Sequence, residues 1–134
     1  MSIYNSIRQA LETKLNAVAG IPTVYFENVK ETPTTGTPYV TCRLIPAVRT
    51  PAVMGTSPQQ QYTGSFMVLV HYPENQGPGT AETMVNTIIT DFDATTDIND
   101  AGIILSIRRA ERMPGYNRSP WYVIPIDISW YIYN

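Results

Sequence analysis

Lysine, histidine and cysteine are nearly missing from this chain. Two lysines (Lys14, Lys30), one histidine (His71) and one cysteine (Cys42) occur in 134 residues. A lone thiol cannot close an internal disulfide, and a lone imidazole cannot build a His-based metal cluster. Charged residues make up 15% of the chain, against about 25% in an average protein. With a net charge of -2, such a chain exerts little long-range pull on nucleic acid or an anionic membrane. No apolar run approaches the length needed to span a bilayer, so no membrane role is expected. The opening Met-Ser-Ile-Tyr-Asn lacks the basic and long apolar regions of a signal peptide. Synthesis in a reducing cytoplasm is therefore expected.

What is present points to surfaces. Sixteen threonines and eleven prolines leave a polar, weakly charged exterior that protein partners can cover at small desolvation cost. Seven arginines against two lysines favour interface chemistry, because the guanidinium fork holds fixed hydrogen-bond geometry and lysine is depleted at interfaces.

The pattern along the chain predicts a single domain over 1–134, of the α+β class, in the order α-β-β-β-α-β-β. Ile3, Ile7, Leu11, Leu15 and Val18 recur at helical spacing behind a possible Ser2 cap, and Gly20 with Pro22 ends the run. Thr23-Val-Tyr-Phe26 reads as an edge strand, and Asn28 to Pro38 as a connection. In Tyr39 to Ile45 the residues Val40, Cys42 and Leu44 share one face, and Pro46 is expected to close the strand. Pro46 to Gln61 is a long loop or an extended hairpin arm, and loops of that size usually bind something or are disordered. Tyr62 to Tyr72 is apolar on both faces, which places it mid-sheet. Pro73 to Gly79 breaks it, and Thr80 is expected to cap a helix bearing Met84, Val85, Ile88, Ile89 and Phe92.

Ile103 to Ala110 forms the next strand, and Met113 to Pro120 a turn-rich connection. From Trp121 to Tyr133 the residues Tyr122, Ile124, Ile126, Ile128, Trp130 and Ile132 alternate with a mixed set, so this is the clearest strand. Pro125 within it argues for an edge position or a bulge. A mostly antiparallel sheet with two helices packed on one face is the layer arrangement that satisfies these elements.

Chemistry finds no foothold in the pattern. Gly77-Pro-Gly79 precedes a helix, as phosphate loops do, yet Pro78 donates nothing and no lysine follows. Asp91, Asp93, Asp97, Asn99 and Asp100 fail the calcium-loop spacing, with Thr96 in place of the glycine and Gly102 in place of the glutamate, so they read as a solvated linker. A Cys42–His71 pair is possible if their strands are neighbours, but buried strand residues of these types are mostly structural. Arg108, Arg109, Arg112 and Arg118 are expected to gather at one end of the sheet with Tyr116, Trp121 and Tyr122. That set suits a protein interface better than single-stranded nucleic acid in a chain of acidic balance. No enzyme and no cofactor are expected.

The linear order resembles the tail terminator, or tail completion, proteins of long-tailed bacteriophages. The resemblance rests on the N-terminal helix, the strand opening Pro38-Tyr-Val-Thr41 and the long connection to Gln61. It continues through the block Tyr62-Thr-Gly-Ser-Phe-Met-Val-Leu-Val-His-Tyr-Pro73, the Gly77-Pro-Gly79 turn and its helix to Phe92. An Ile/Arg-rich strand and the alternating strand after Trp121 complete it. The chain departs from related sequences in carrying Gln60, Gln61 and Tyr62 before Gly64, where they have a basic residue.

The resemblance implies a structural virion protein of the tail that forms a ring, usually of six subunits, at the head-proximal end of the tail tube. Its implied partners are copies of itself, the tail tube protein and a head completion or connector protein, with DNA passing through without specific binding. The expected contact elements are the Pro46 to Gln61 arm, the Met113 to Pro120 turn and the Asn28 to Pro38 loop. Arg49, Gln59, Arg112, Tyr116 and Arg118 are the individual candidates. A head completion protein on the connector side, or a small ligand- or nucleic-acid-binding α+β module, are the alternative readings.

Overall fold

A computed structural model describes residues 3–28, 31–34, 36–51, 60–75, 79–92, 97–100 and 102–133. Helix α1 spans Ile3–Asn16 and α2 spans Gly79–Asp91. The strands are β1 Thr23–Tyr25, β2 Tyr39–Pro51, β3 Gln60–Pro73, β4 Asp97–Asp100, β5 Ile103–Arg112, β6 Tyr116–Arg118 and β7 Trp121–Tyr133. They form one sheet in the order β1-β2-β3-β7-β5-β4, with β6 pairing β7. Only the β1–β2 pair is parallel among these, so the sheet is mostly antiparallel, as the pattern predicts.

Both helices cover the same face. Ile7, Ala10, Leu11 and Leu15 of α1 and Ala81, Val85 and Ile88 of α2 join one buried cluster with Val40, Cys42, Leu44, Phe66, Val68, Val70, Ile124, Ile126, Ile128 and Trp130. The period of 3.6 in the helices and of 2 in the strands brings these residues together. Helix α1 ends at Asn16, and Gly20, at φ +72°, takes the left-handed conformation in the turn that leads on to β1. Ser2, the expected cap of α1, lies outside the described residues. Thr80 does not cap α2, because the helix already begins at Gly79. Thr83, Thr87 and Thr90 instead donate their hydroxyls to carbonyls four residues back, which satisfies them on the helix surface.

Two prolines behave differently from expectation. Pro46 does not end its strand: β2 shifts register between Pro46 and Val48 and runs on to Pro51, opposite Gln60. The long connection is therefore a hairpin arm, whose residues 52–59 lie outside the described set. Pro125 sits in the inner strand β7, not at an edge. Its carbonyl accepts from the Met113 amide at 2.8 Å. In an antiparallel ladder the amide and carbonyl of one residue face the same neighbour. Its missing donor therefore faces the gap between the end of β5, opposite Ile126, and the start of β6, opposite Val123.

Two short strands were not expected. Asp97–Asp100 forms β4 against β5, where a solvated linker was read, and Tyr116–Arg118 forms β6 within the turn-rich connection.

Gly64 holds the centre of the sheet together by having no side chain. It stands opposite Trp130, and a Cβ placed on it would lie 2.6 Å from the indole ring and 2.5 Å from the Ile45 carbonyl. Backbone cannot yield as a flexible side chain can. Gly64→Ala is therefore expected to lower stability by about 2–3 kcal/mol, read as a fall in the urea midpoint with an unchanged m value. An unchanged midpoint would show that the strands separate more easily than this packing allows.

Candidate assembly surfaces

The sheet face opposite the helices has no helical cover among the described residues. Cross-strand register sets its rows: Tyr39 beside His71 and Val123, Thr41 beside Leu69 and Pro125, Arg43 beside Met67 and Asp127, Ile45 beside Ser65 and Ser129. Aromatic groups mark both ends of this face.

At one end Tyr39 stacks on His71 with centroids 4.1 Å apart and planes 6° from parallel, while Trp121 meets Tyr39 edge-on at 5.0 Å. Tyr39, Trp121 and Val123 form a small second core here. Beside it a cleft of about 310 Å³ is lined by Glu31, His71, Arg118 and Pro120, among others. His71 is 4% exposed and its Nδ1 has no hydrogen-bond partner. Burial pushes its pKa down to about 4, and the positive charge of Arg118 acts in the same direction. The imidazole is thus neutral in the folded protein.

At the other end Tyr131 meets Tyr133 edge-on, and the Arg108 guanidinium lies 5.0 Å from the centre of the Tyr131 ring. The Gln61 amide donates to the Tyr133 hydroxyl at 3.2 Å. Exposed Tyr133 and Ile104 extend this apolar end.

The candidate residues divide between the ends instead of forming one site. Arg49 lies on the arm, 5.9 Å from the centre of the Tyr62 ring. Tyr116 and Arg118 open and close β6 at the opposite end, both exposed. With β3 running ten residues from Tyr62 to His71, the two ends stand about 30 Å apart. Gln59 lies outside the described residues. Arg112 turns toward the helix face, where its guanidinium pairs with Glu82 in the first turn of α2. That contact ties a helix to the sheet, and its separation in sequence left no local signal. Nor do the four arginines gather at one end, since Arg108 stands over Tyr131 and Arg118 near Tyr39.

The chemistry considered from sequence does not assemble. Cys42 faces the helices and pairs across with Val68, whereas His71 faces the open side. Burial pushes the Cys42 thiol up to about 12, so it stays protonated. Among the described residues no group of three or more His, Cys, Asp or Glu side chains is placed to hold a metal ion. No helix there is long and apolar enough to cross a membrane.

The sheet is thus one-sided among the described residues, with unlike, arginine- and tyrosine-bearing ends. Comparison with known proteins gives the class: a family model described as "Phage tail terminator protein" matches residues 6–130. The chain belongs to the phage tail terminator family and is a structural protein of the phage tail. A solved chain 23% identical in sequence shares the fold with a TM-score of 0.77, over 100% of this chain and 96% of its own length. A chain from the virion of a native gene transfer agent particle does so at 17% identity and a TM-score of 0.69, over 99% and 98%. The search of curated proteins found no match.

The neutral His71 makes stability depend on pH. Above its ordinary value of 6.5 neither state binds the proton and stability is full. As pH falls from 6.5 to about 4 the unfolded chain protonates first, so stability is lost over that window, at up to about 1.4 kcal/mol per pH unit. Urea midpoints measured from pH 7 to 4 are expected to fall faster in the wild type than in His71→Phe. Parallel curves would contradict a buried neutral imidazole.

Proposed function

We propose that this chain closes into a ring at the head-proximal end of the tail tube, stops tube growth there and offers its other side to the proteins that join tail to head. The family match over residues 6–130 is the observation that carries this reading. The placement of candidate contacts supports it. A cyclic head-to-tail interface leaves a ring with two different sides. Here the Arg49 arm stands at one end of the sheet and the β6 turn with Tyr116 and Arg118 at the other, so one end can meet the tube protein and the other the head completion or connector protein.

The action is geometric. Polymerisation ends because the ring fits the tube end without presenting another one. DNA passes through without specific binding, in keeping with a chain that has two lysines and a net charge of -2. Six subunits is the number the resemblance implies.

Adding the purified protein to assembling tail-tube subunits tests the reading by electron microscopy. Tubes are expected to stop growing and to carry extra density at one end. Growth that continues unchanged, with bare ends, would overturn it and favour a head completion role.

A further inference from the structure

A ring closed head to tail needs two unlike rims that fit each other. One cross-strand row of the open face supplies them. It runs Arg43, Met67, Asp127, Glu111 across β2, β3, β7 and β5. Asp127 and Glu111 stand directly opposite each other, and like charges so placed are destabilising. Arg109, two residues before Glu111 and on the same face, approaches it to 3.6 Å, but both groups are more than half exposed, where water weakens the pair. Asp127 Oδ1 is buried and has no hydrogen-bond partner. The β5 side of the row thus holds two carboxylates to one guanidinium. On the β2 side Arg43 is exposed, and among the described residues it joins none of the ion pairs, which are Arg8–Glu27, Arg109–Glu111 and Arg112–Glu82.

Among the described residues neither charged set has a further strand paired outside it. β1 pairs with β2 only as far as Thr41, and β4 with β5 only as far as Ser106. Main-chain pairing is discouraged at the β2 rim. The Leu44 amide, which points outward there, already donates to Glu27 Oε1 at 3.1 Å. Pro46 takes the next outward position, and Pro51, past the register shift, takes it again, so neither offers a donor. Side chains must make the joint.

We propose that Arg43 of one copy docks against the Glu111–Asp127 carboxylate pair of the next, closing the open β2 rim onto the open β5 rim. This deepens the ring reading above and rests on it. Within this row the Arg43 guanidinium meets the carboxylate that Arg109 leaves uncompensated, and supplies the partner that Asp127 Oδ1 lacks among the described residues.

Two exposed positions allow a test by charge reversal, with Arg43→Glu and Glu111→Arg made separately in the full chain. Each alone is expected to weaken self-association about tenfold or more, measured by sedimentation or light scattering, with the urea midpoint not lowered. Mixed in equal amounts, the two variants are expected to associate again, because each reversed rim then faces a complementary one. Recovery on mixing cannot come from Arg43 reaching over Met67 to Asp127 of its own chain. If a reversal lowers the urea midpoint, Arg43→Gln and Glu111→Gln replace the pair and must weaken association without unfolding. A wild type that assembles, alongside variants that assemble equally well or fail to recover on mixing, overturns the rim contact and leaves the ring standing. A wild type that stays a single chain even with tube subunits present overturns the ring, and the contact with it.

Discussion

Thirteen residues of β7 lie in register against β3, from Tyr133 opposite Gln61 to Trp121 opposite Pro73. Every other placement depends on that ladder. A shift of one residue in β7 would exchange its two faces relative to β3 and bury Asp127 and Ser129 under the helices in place of Ile126, Ile128 and Trp130. Gly64 opposes such a shift, since the Trp130 ring fits only against a residue without a side chain. Register is thus fixed by shape as well as by hydrophobic pattern.

Once the register is set, the division of labour follows. Period-two alternation sends Phe66, Val68 and Val70 to one face and Met67, Leu69 and His71 to the other. Both helices have apolar stripes that fit the first face, so the second is left to contacts outside the helices. The proposed contacts accordingly fall at rims, turns and ends. The buried thiol and imidazole, the groups most able to react, stay protonated and neutral respectively and face opposite sides of the sheet.

The parts legible in the sequence were those set by periodicity. The two helices, the inner strand β3 and the alternating strand β7 each repeat their pattern long enough to exceed local noise. Prolines were harder to read, because their cost depends on which neighbour their missing amide would face. Pro46 falls on an outward rim and Pro125 on a gap between two strands, so both are tolerated. Strand β4 is Asp-Ile-Asn-Asp, a composition with low strand propensity, and it exists because β5 lies beside it. The candidate contact elements were legible as loops but not as arrangements. Register alone brings Glu111 opposite Asp127, and only the fold turns Arg112 toward Glu82.

Locating the chain in intact particles tests the central claim most directly. Gold-labelled antibody, or a small tag resolved by electron microscopy, is predicted to mark one narrow band where the tail meets the head. Label spread along the tail, or confined to its far tip, would contradict a terminator built from this one-sided sheet.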